Sequence, residues 1–208
     1  MIARTLAVAA FLACWARGET LDRIAVTVGP DVIAESDMVR DLRVVAFLDR
    51  KPVDLSPAAK RQAAERLVDQ LLILREAVDS HVTLPSTEAQ LGLVSQYASE
   101  NGYQGALERY GISEADLGAH LLAGLRTLAF TNLRFRSDVV VTADDVLLYY
   151  EKLKSQPGSA LGPIPAFEAA RDQIEKLLVD QRVIEALDLW LATARSTSHI
   201  QYRDKAFQ

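Results

Sequence analysis

Helix-start signals, each followed by apolar residues every three or four positions, divide most of the chain into helical segments. A capping serine at residue 56 is followed by proline, and Ser113 and Thr142 each stand three residues before an aspartate, as in a capping box. In the segment after residue 56 the apolar residues form a single stripe, made of Ala64, Leu67, Leu71, Leu74 and Val78. The pattern predicts a mainly α-helical, multi-helix protein.

Two short β-branched stretches flank the predicted helices. Residues 23–29 alternate, a Gly-Pro-Asp turn signal follows, and residues 32–34 can return as the second strand of a hairpin. Residues 199–203 alternate again near the end of the chain. Because a lone hairpin is marginally stable, we expect this last strand to pair with the hairpin in a small β-sheet. Ser36 is predicted to cap the first helix after the hairpin.

The first 18 residues have the three parts of a secretory signal peptide. Arg4 is the positive region, residues 5–16 are apolar, and Ala16 and Gly18 are small residues at a cleavage site. The apolar run is too short to span a bilayer, which needs about 20 residues. Two alternatives remain open: a buried N-terminal helix, and a lipid anchor on Cys14, because Leu-Ala-Cys resembles a lipobox.

The predicted boundaries divide the remaining chain into three parts. Residues 19–155 form an N-terminal helical domain, and residues 156–166, with three prolines and two glycines, form a linker. Residues 167–208 contribute a long helix and the last strand, which complete the same domain. The apolar side of this long helix is predicted to contain Ile174, Leu177, Ile184, Leu187, Leu191 and Ala194.

Composition and motifs argue against several classes of function. The formal net charge of −5 disfavours nucleic acid as the main partner. One cysteine excludes a disulfide framework, and three dispersed histidines disfavour a local metal site. No nucleophile elbow, phosphate-binding loop or metalloprotease motif occurs, so we predict no catalytic residues, no metal and no cofactor. His120, between apolar neighbours, is predicted to lie at the boundary of the core.

Three segments carry a family resemblance: the hairpin entering a helix through VIAESD, the helix LVDQLLILREA, and the junction VVVTADDVLLYYE. In this order, and closed by the long C-terminal helix, they resemble the SurA family of periplasmic chaperones over nearly the whole chain after the signal peptide. In that family, parvulin-type prolyl isomerase modules usually precede the C-terminal helix. Here only residues 156–166 occupy that place, and they are too few to build such a module.

The resemblance implies an ATP-independent periplasmic holdase for unfolded envelope or outer-membrane proteins, without isomerase activity. Its partners would be extended polypeptides, with no transmembrane segment in the mature chain, and a homodimer is left open. The candidate client-facing aromatic residues are Phe130, Phe135, Tyr149, Tyr150 and Trp190, the alternative being that most of them fill the core. A different function, an adaptor that binds one dedicated envelope partner, is the competing hypothesis.

Overall fold

A computed structural model describes residues 22–99, 102–155 and 165–208. The predicted signal peptide and Cys14 lie outside these residues, as does the predicted linker except for Pro165 and Ala166. The described helices are α1 (Glu35–Asp49), α2 (Pro57–Asp79), α3 (Ala89–Ala98), α4 (Tyr103–Tyr110), α5 (Glu114–Phe135), α6 (Ala143–Ser155) and α7 (Phe167–Thr197). The strands are β1 (Ile24–Val28), β2 (Asp31–Ala34) and β3 (Ile200–Tyr202). The predicted fold class, mainly α with a small β-sheet, is confirmed.

The sheet joins the two ends of the described chain. Its strand order is β2-β1-β3, with both pairings antiparallel. Thr27 in the central strand lies opposite Val32 on one side and Gln201 on the other. The hairpin turns at Gly29, whose φ of 54° is a conformation that side chains disfavour. The predicted pairing of the last strand with the hairpin is therefore confirmed.

Helix starts follow the predicted caps at Ser56, Ser113 and Thr142 and differ from the prediction at α1. Ser113 and Thr142 each exchange hydrogen bonds with the aspartate three residues later. The predicted cap of α1 is wrong: the helix begins after Ala34, whose N–H donates to the Asp37 carboxylate at 2.9 Å. Ser36 instead donates its hydroxyl to Asp22. Helix α3 starts at Ala89, directly after a turn at residues 87–88.

The main core lies where α1 and α2 cover the sheet. Val26, Val28 and Met38 are fully buried there, together with Val68 of α2. A second cluster joins α5 and α7 to α2, around Phe130, Phe135 and Val183. Smaller clusters lie between α1, α4 and α5 and between α6 and α7. These clusters fix α5 beside α2, which is the pair of helices that forms the candidate site.

The C-terminal segment is fastened to α2 at several points. Arg195 of α7 makes two hydrogen bonds to the Asp69 carboxylate, 2.7 and 2.6 Å long. Beyond β3, Phe207 is buried in the main core. The guanidinium of Arg61 lies 3.9 Å from the centre of the Tyr202 ring, a cation–π contact. Helix α7 therefore closes the fold onto the elements that begin it.

Candidate functional site

An open groove lies between α1, α2 and α5 and ends at strand β2, and we call it the α2–α5 groove. Its volume is about 270 Å³. It is lined by Val32, Ile33, Asp37, Arg40, Asp41, Val44, Leu67, Gln70, Leu71, Leu74, Asp116, Ala119, His120 and Ala123. A smaller extension of about 60 Å³ continues along the same two helices toward Arg126 and Thr127. The groove and its extension thus follow the gap between α2 and α5, and α1 and β2 border one end of it.

The groove exists because one wall is bulky and the other is small. One side is lined by Leu67, Leu71 and Leu74 of α2, which belong to the apolar stripe predicted from the sequence. The facing side of α5 presents Ala119 and Ala123, one turn apart. An alanine fills far less of the space between two helices than a leucine does. The result is a channel with aliphatic walls that is open to solvent.

Strand β2 borders the groove with its edge. Neighbouring side chains of a strand point to opposite faces, yet both Val32 and Ile33 line the groove. Val32 is 55 % exposed, whereas Ile33 is buried. β2 is an outer strand of the sheet. A groove that reaches side chains on both faces of β2 must therefore pass along the edge of β2 that is turned away from β1. The groove therefore meets the hydrogen-bonding edge of β2.

A buried carboxylate lies beneath the groove. The Asp41 side chain is 4 % exposed and accepts two hydrogen bonds from Arg66, 3.2 and 2.5 Å long. Its other oxygen lies 3.0 Å from Nδ1 of His120. Burial by itself raises the pKa of Asp41, but the hydrogen bonds from His120 and Arg66 outweigh burial and lower the pKa below its ordinary value. Asp41 is therefore an ionised group that ties α1 to both walls.

The rim of the groove carries a second set of charges. Arg40 lies 3.0 Å from the carboxylates of both Asp37 and Asp116. Burial by itself raises the pKa of Asp116, but the hydrogen bonds from Ser113 outweigh burial, and the pKa is lower than its ordinary value. The groove lining thus contains three carboxylates and one arginine, and a second arginine, Arg66, pairs with Asp41.

One polar side chain in the groove has no partner among the residues that the structure describes. Gln70 lines both the groove and its extension, at their junction. Neither a hydrogen bond nor an ion pair joins its amide to any described residue. A primary amide can donate and accept at once, as a peptide group does. Gln70 therefore offers an available hydrogen-bonding group in a groove that is otherwise lined largely by aliphatic side chains.

Three of the predicted client-facing aromatic residues pack together in the core instead. Phe130 is 0 % exposed and Phe135 is also buried. The Phe130 ring centre lies 5.2 Å from that of Trp190 and 6.0 Å from that of Phe135. Trp190 is partly buried between two core clusters. The predicted exposure of Phe130 and Phe135 is wrong, because both rings pack in the core between α5 and α7.

The other two aromatic residues belong to the α6–α7 contact. Tyr150 is buried, and its hydroxyl donates to the Pro165 carbonyl at 2.9 Å, so its exposure is likewise contradicted. Tyr149 is half-buried and borders a shallow surface depression with Leu148 and Arg182. None of the five predicted aromatic residues lines the α2–α5 groove. The groove was missed because its residues come from four elements that are distant in sequence, although the two alanines one turn apart were a local signal.

The described residues show neither a membrane-crossing helix nor a metal site. Within residues 22–99, 102–155 and 165–208, no helix is both long and apolar enough to span a bilayer. The same residues contain no group of three or more His, Cys, Asp or Glu side chains that could hold a metal ion. No known protein-family model matches the chain, and no curated protein sequence does so either.

Proposed function

We propose that this protein is an ATP-independent chaperone of the SurA-like type, which holds unfolded envelope or outer-membrane proteins in the periplasm. The observation that carries the proposal is the α2–α5 groove, an open channel with aliphatic walls. A client segment in the groove would bury apolar side chains against Leu71 and Leu74 on one side and Ala119 on the other. Aliphatic contact has no directional requirement, so it suits many different sequences.

Weak and broad binding is what such a surface supplies. A groove of about 270 Å³ accepts a few side chains at a time, and burial contributes about 25 cal/mol per Å² of apolar surface. Ordering a flexible client offsets much of this gain. The expected affinity of one segment is therefore modest, and a long unfolded client would gain from having several segments that can bind in turn.

The resemblance to SurA-type chaperones supports the same proposal. The hairpin, the LVDQLLILREA helix and the TADDV junction correspond to β1–β2, to α2 and to the start of α6. The proposal does not include prolyl isomerase activity, because residues 156–166, which occupy the place of a parvulin module in the SurA family, are too few to form one. It includes no nucleotide either, since the chain contains no phosphate-binding loop.

The test is suppression of aggregation by the purified protein without ATP. A denatured outer-membrane β-barrel protein is diluted into buffer, and light scattering is followed with and without the chain. We expect suppression at near-stoichiometric ratios, and we expect Ala119→Trp to weaken it by filling the groove. Ala192→Trp, at an exposed position of α7, is the matched control and should suppress normally. Equal suppression by both variants would exclude the groove as the client site.

A second function, an adaptor for one dedicated partner, is favoured by the surface of α6 and α7. Helix α6 packs chiefly against α7. Leu147 and Leu148 of α6 and Ile184 of α7 are nevertheless exposed, Leu148 by 75 %. Exposed apolar side chains that form a contiguous patch mark protein-binding surfaces. Binding of several unrelated unfolded proteins would favour the chaperone, whereas a single tight folded partner would favour the adaptor.

A further inference from the structure

We infer that the α2–α5 groove takes its ligand as an added β-strand: an extended, non-acidic polypeptide segment that pairs with the outer edge of β2 and with the Gln70 amide. This inference rests on the proposed function and names the class of segment that the groove selects. Three independent features of the groove support it: the direction of the β2 backbone, the unpartnered amide, and the charge of the rim.

The backbone of Val32 points away from the sheet. Between β1 and β3, Gly29 donates its N–H to His199, and Arg203 donates its N–H to Ala25. Because backbone directions alternate along an antiparallel strand, positions 25, 27 and 29 face β3, and positions 26 and 28 face β2. Their partners in β2 are residues 33 and 31. The N–H and C=O of Val32, between them, therefore face outward.

No described residue uses the outward groups of Val32. None of the backbone or side-chain hydrogen bonds outside the sheet, among residues 22–99, 102–155 and 165–208, involves its N–H or C=O. An unpaired strand edge is a template for a further strand. Extended peptides that bind in this way gain affinity from main-chain hydrogen bonds and selectivity from side-chain pockets. At β2 the adjoining pocket is the α2–α5 groove.

Gln70 supplies a second place where a main chain can be held. Gln70 lines both the groove and its extension, as do the apolar side chains of Leu74 and Ala123. A peptide group crossing this aliphatic channel would lose its hydrogen bonds to water. The amide of Gln70 can donate to its carbonyl and accept from its N–H. A channel that recognised apolar side chains alone would have no need for this group.

Charge complementarity determines which segments are accepted. The groove is lined by Asp37, Asp41 and Asp116, which are opposed by two arginines, Arg40 on the rim and Arg66 bound to Asp41, so the carboxylates exceed the arginines by one. All three carboxylates already accept hydrogen bonds within the protein, so none attracts a cation as strongly as a free carboxylate would. A ligand carboxylate would nevertheless face a net negative wall in a partly desolvated channel. Segments with aliphatic residues flanked by lysine or arginine therefore fit, and acidic segments do not.

The test uses a fluorescein-labelled peptide of alternating valine and threonine with a lysine at each end, bound to the full chain and followed by fluorescence anisotropy. Two analogues carry N-methyl groups, one on every valine and the other on every threonine. Because these two sets of N–H groups point to opposite edges of an extended strand, one analogue should lose about five-fold or more in affinity. The other should bind like the parent peptide.

Protein variants locate the effect. Val32→Pro removes the outward N–H, a change that edge strands tolerate, and Val32→Ala controls for the lost side chain. Gln70→Met removes the amide at nearly constant shape, and Gln62→Met, on an exposed part of α2, is its control. Val32→Pro and Gln70→Met should each weaken binding about five-fold relative to their controls. A peptide with glutamate in place of lysine should also bind more weakly to the unaltered chain.

The outcomes separate this inference from the proposed function. If Ala119→Trp abolishes capture of the unfolded client but both methylated peptides bind like the parent, the added strand is wrong and the holdase proposal stands. If Ala119→Trp changes neither client capture nor peptide binding, the groove is not the binding site and both proposals fail. Should Val32→Pro unfold the protein, the methylated peptides and Gln70→Met still decide the question.

Discussion

Nδ1 of His120 lies 3.0 Å from Oδ1 of Asp41, a residue 79 positions earlier in the chain. The contact connects α5 to α1 beneath the α2–α5 groove, and Arg66 connects α2 to the same carboxylate. Two walls of the groove are therefore held at a fixed separation by one buried aspartate. An unfilled apolar channel would otherwise tend to close, because closure buries its aliphatic walls.

Replacing this carboxylate should lower stability in a pH-dependent manner. Because the pKa of Asp41 is lowered in the folded protein, its contribution is fully present above the ordinary value of 3.8 and is lost as the pH falls through the folded value. We expect Asp41→Asn to cost about 2 kcal/mol at neutral pH, since it leaves Arg66 and His120 without a charged partner.

The measurement is urea denaturation of both proteins across the acidic range. The difference in the free energy of unfolding should narrow as the pH falls below 3.8. Asp188→Asn, an exposed aspartate of α7, serves as the control and should behave like the unaltered chain. A difference that stays constant down to the lowest accessible pH would contradict the assigned role of the Asp41 charge.

Truncating the aromatic cluster should affect folding and not client binding. Phe130 is fully buried, so Phe130→Ala should cost about 3–5 kcal/mol. Trp190→Ala should also cost several kcal/mol, since its ring packs against that of Phe130. Leu189→Ala, next to Trp190 but exposed, should change stability by less than about 0.5 kcal/mol. If client capture per folded molecule falls in Trp190→Ala, this residue has a direct role in binding.

The two hydrogen bonds between Arg195 and Asp69 should contribute modestly to closing the fold. The bonds to Asp69 are the main reason that the pKa of Arg195 is raised. About two fifths of the arginine side chain is exposed, so water screens the pair. A double-mutant cycle with Arg195→Ala and Asp69→Ala should give a coupling free energy of about 1 kcal/mol that decreases with added salt. A coupling near zero at low salt would mean that α7 is held by apolar packing alone.

The cap of α5 should have a measurable effect because that helix forms one wall of the groove. Ser113 accepts the Asp116 N–H at 3.1 Å. Ser113→Ala should lower the free energy of unfolding by about 1 kcal/mol, as loss of such a cap usually does. Ser95→Ala, an exposed serine inside α3, should have a smaller effect. Equal destabilisation by the two substitutions would argue against the cap.

The sequence was sufficient for the parts of the fold that depend on local patterns. Alternating β-branched residues predicted the hairpin and the closing strand, and capping boxes predicted the starts of α5 and α6. Which face of a long helix is buried was harder to predict from the sequence. Leu177 and Ile184 were expected on the apolar side of α7, yet they are 41 % and 55 % exposed, and Val183 is buried instead. Periodicity alone does not determine which of two apolar stripes meets a neighbour.

The candidate site was less predictable than the fold. The sequence predicts His120 at the boundary of the core, but nothing local connects it with Asp41, because their contact arises from the packing of α5 on α1. The sequence leaves two roles open for the aromatic residues, because large apolar side chains suit both cores and binding surfaces. Packing decides between these roles, and here the larger rings fill the core while alanines and leucines form the groove.

The most direct test of the central claim is site-specific photo-crosslinking of the groove to an unfolded client. In a Cys14→Ser background the chain has no cysteine, so a single cysteine can carry a benzophenone label. One protein carries it at Ala123 in the groove, and the other at Ala192 on the exposed side of α7. The account predicts crosslinks to a denatured β-barrel protein from position 123 and few from position 192. Equal crosslinking from both positions, or crosslinking from position 192 alone, would contradict it.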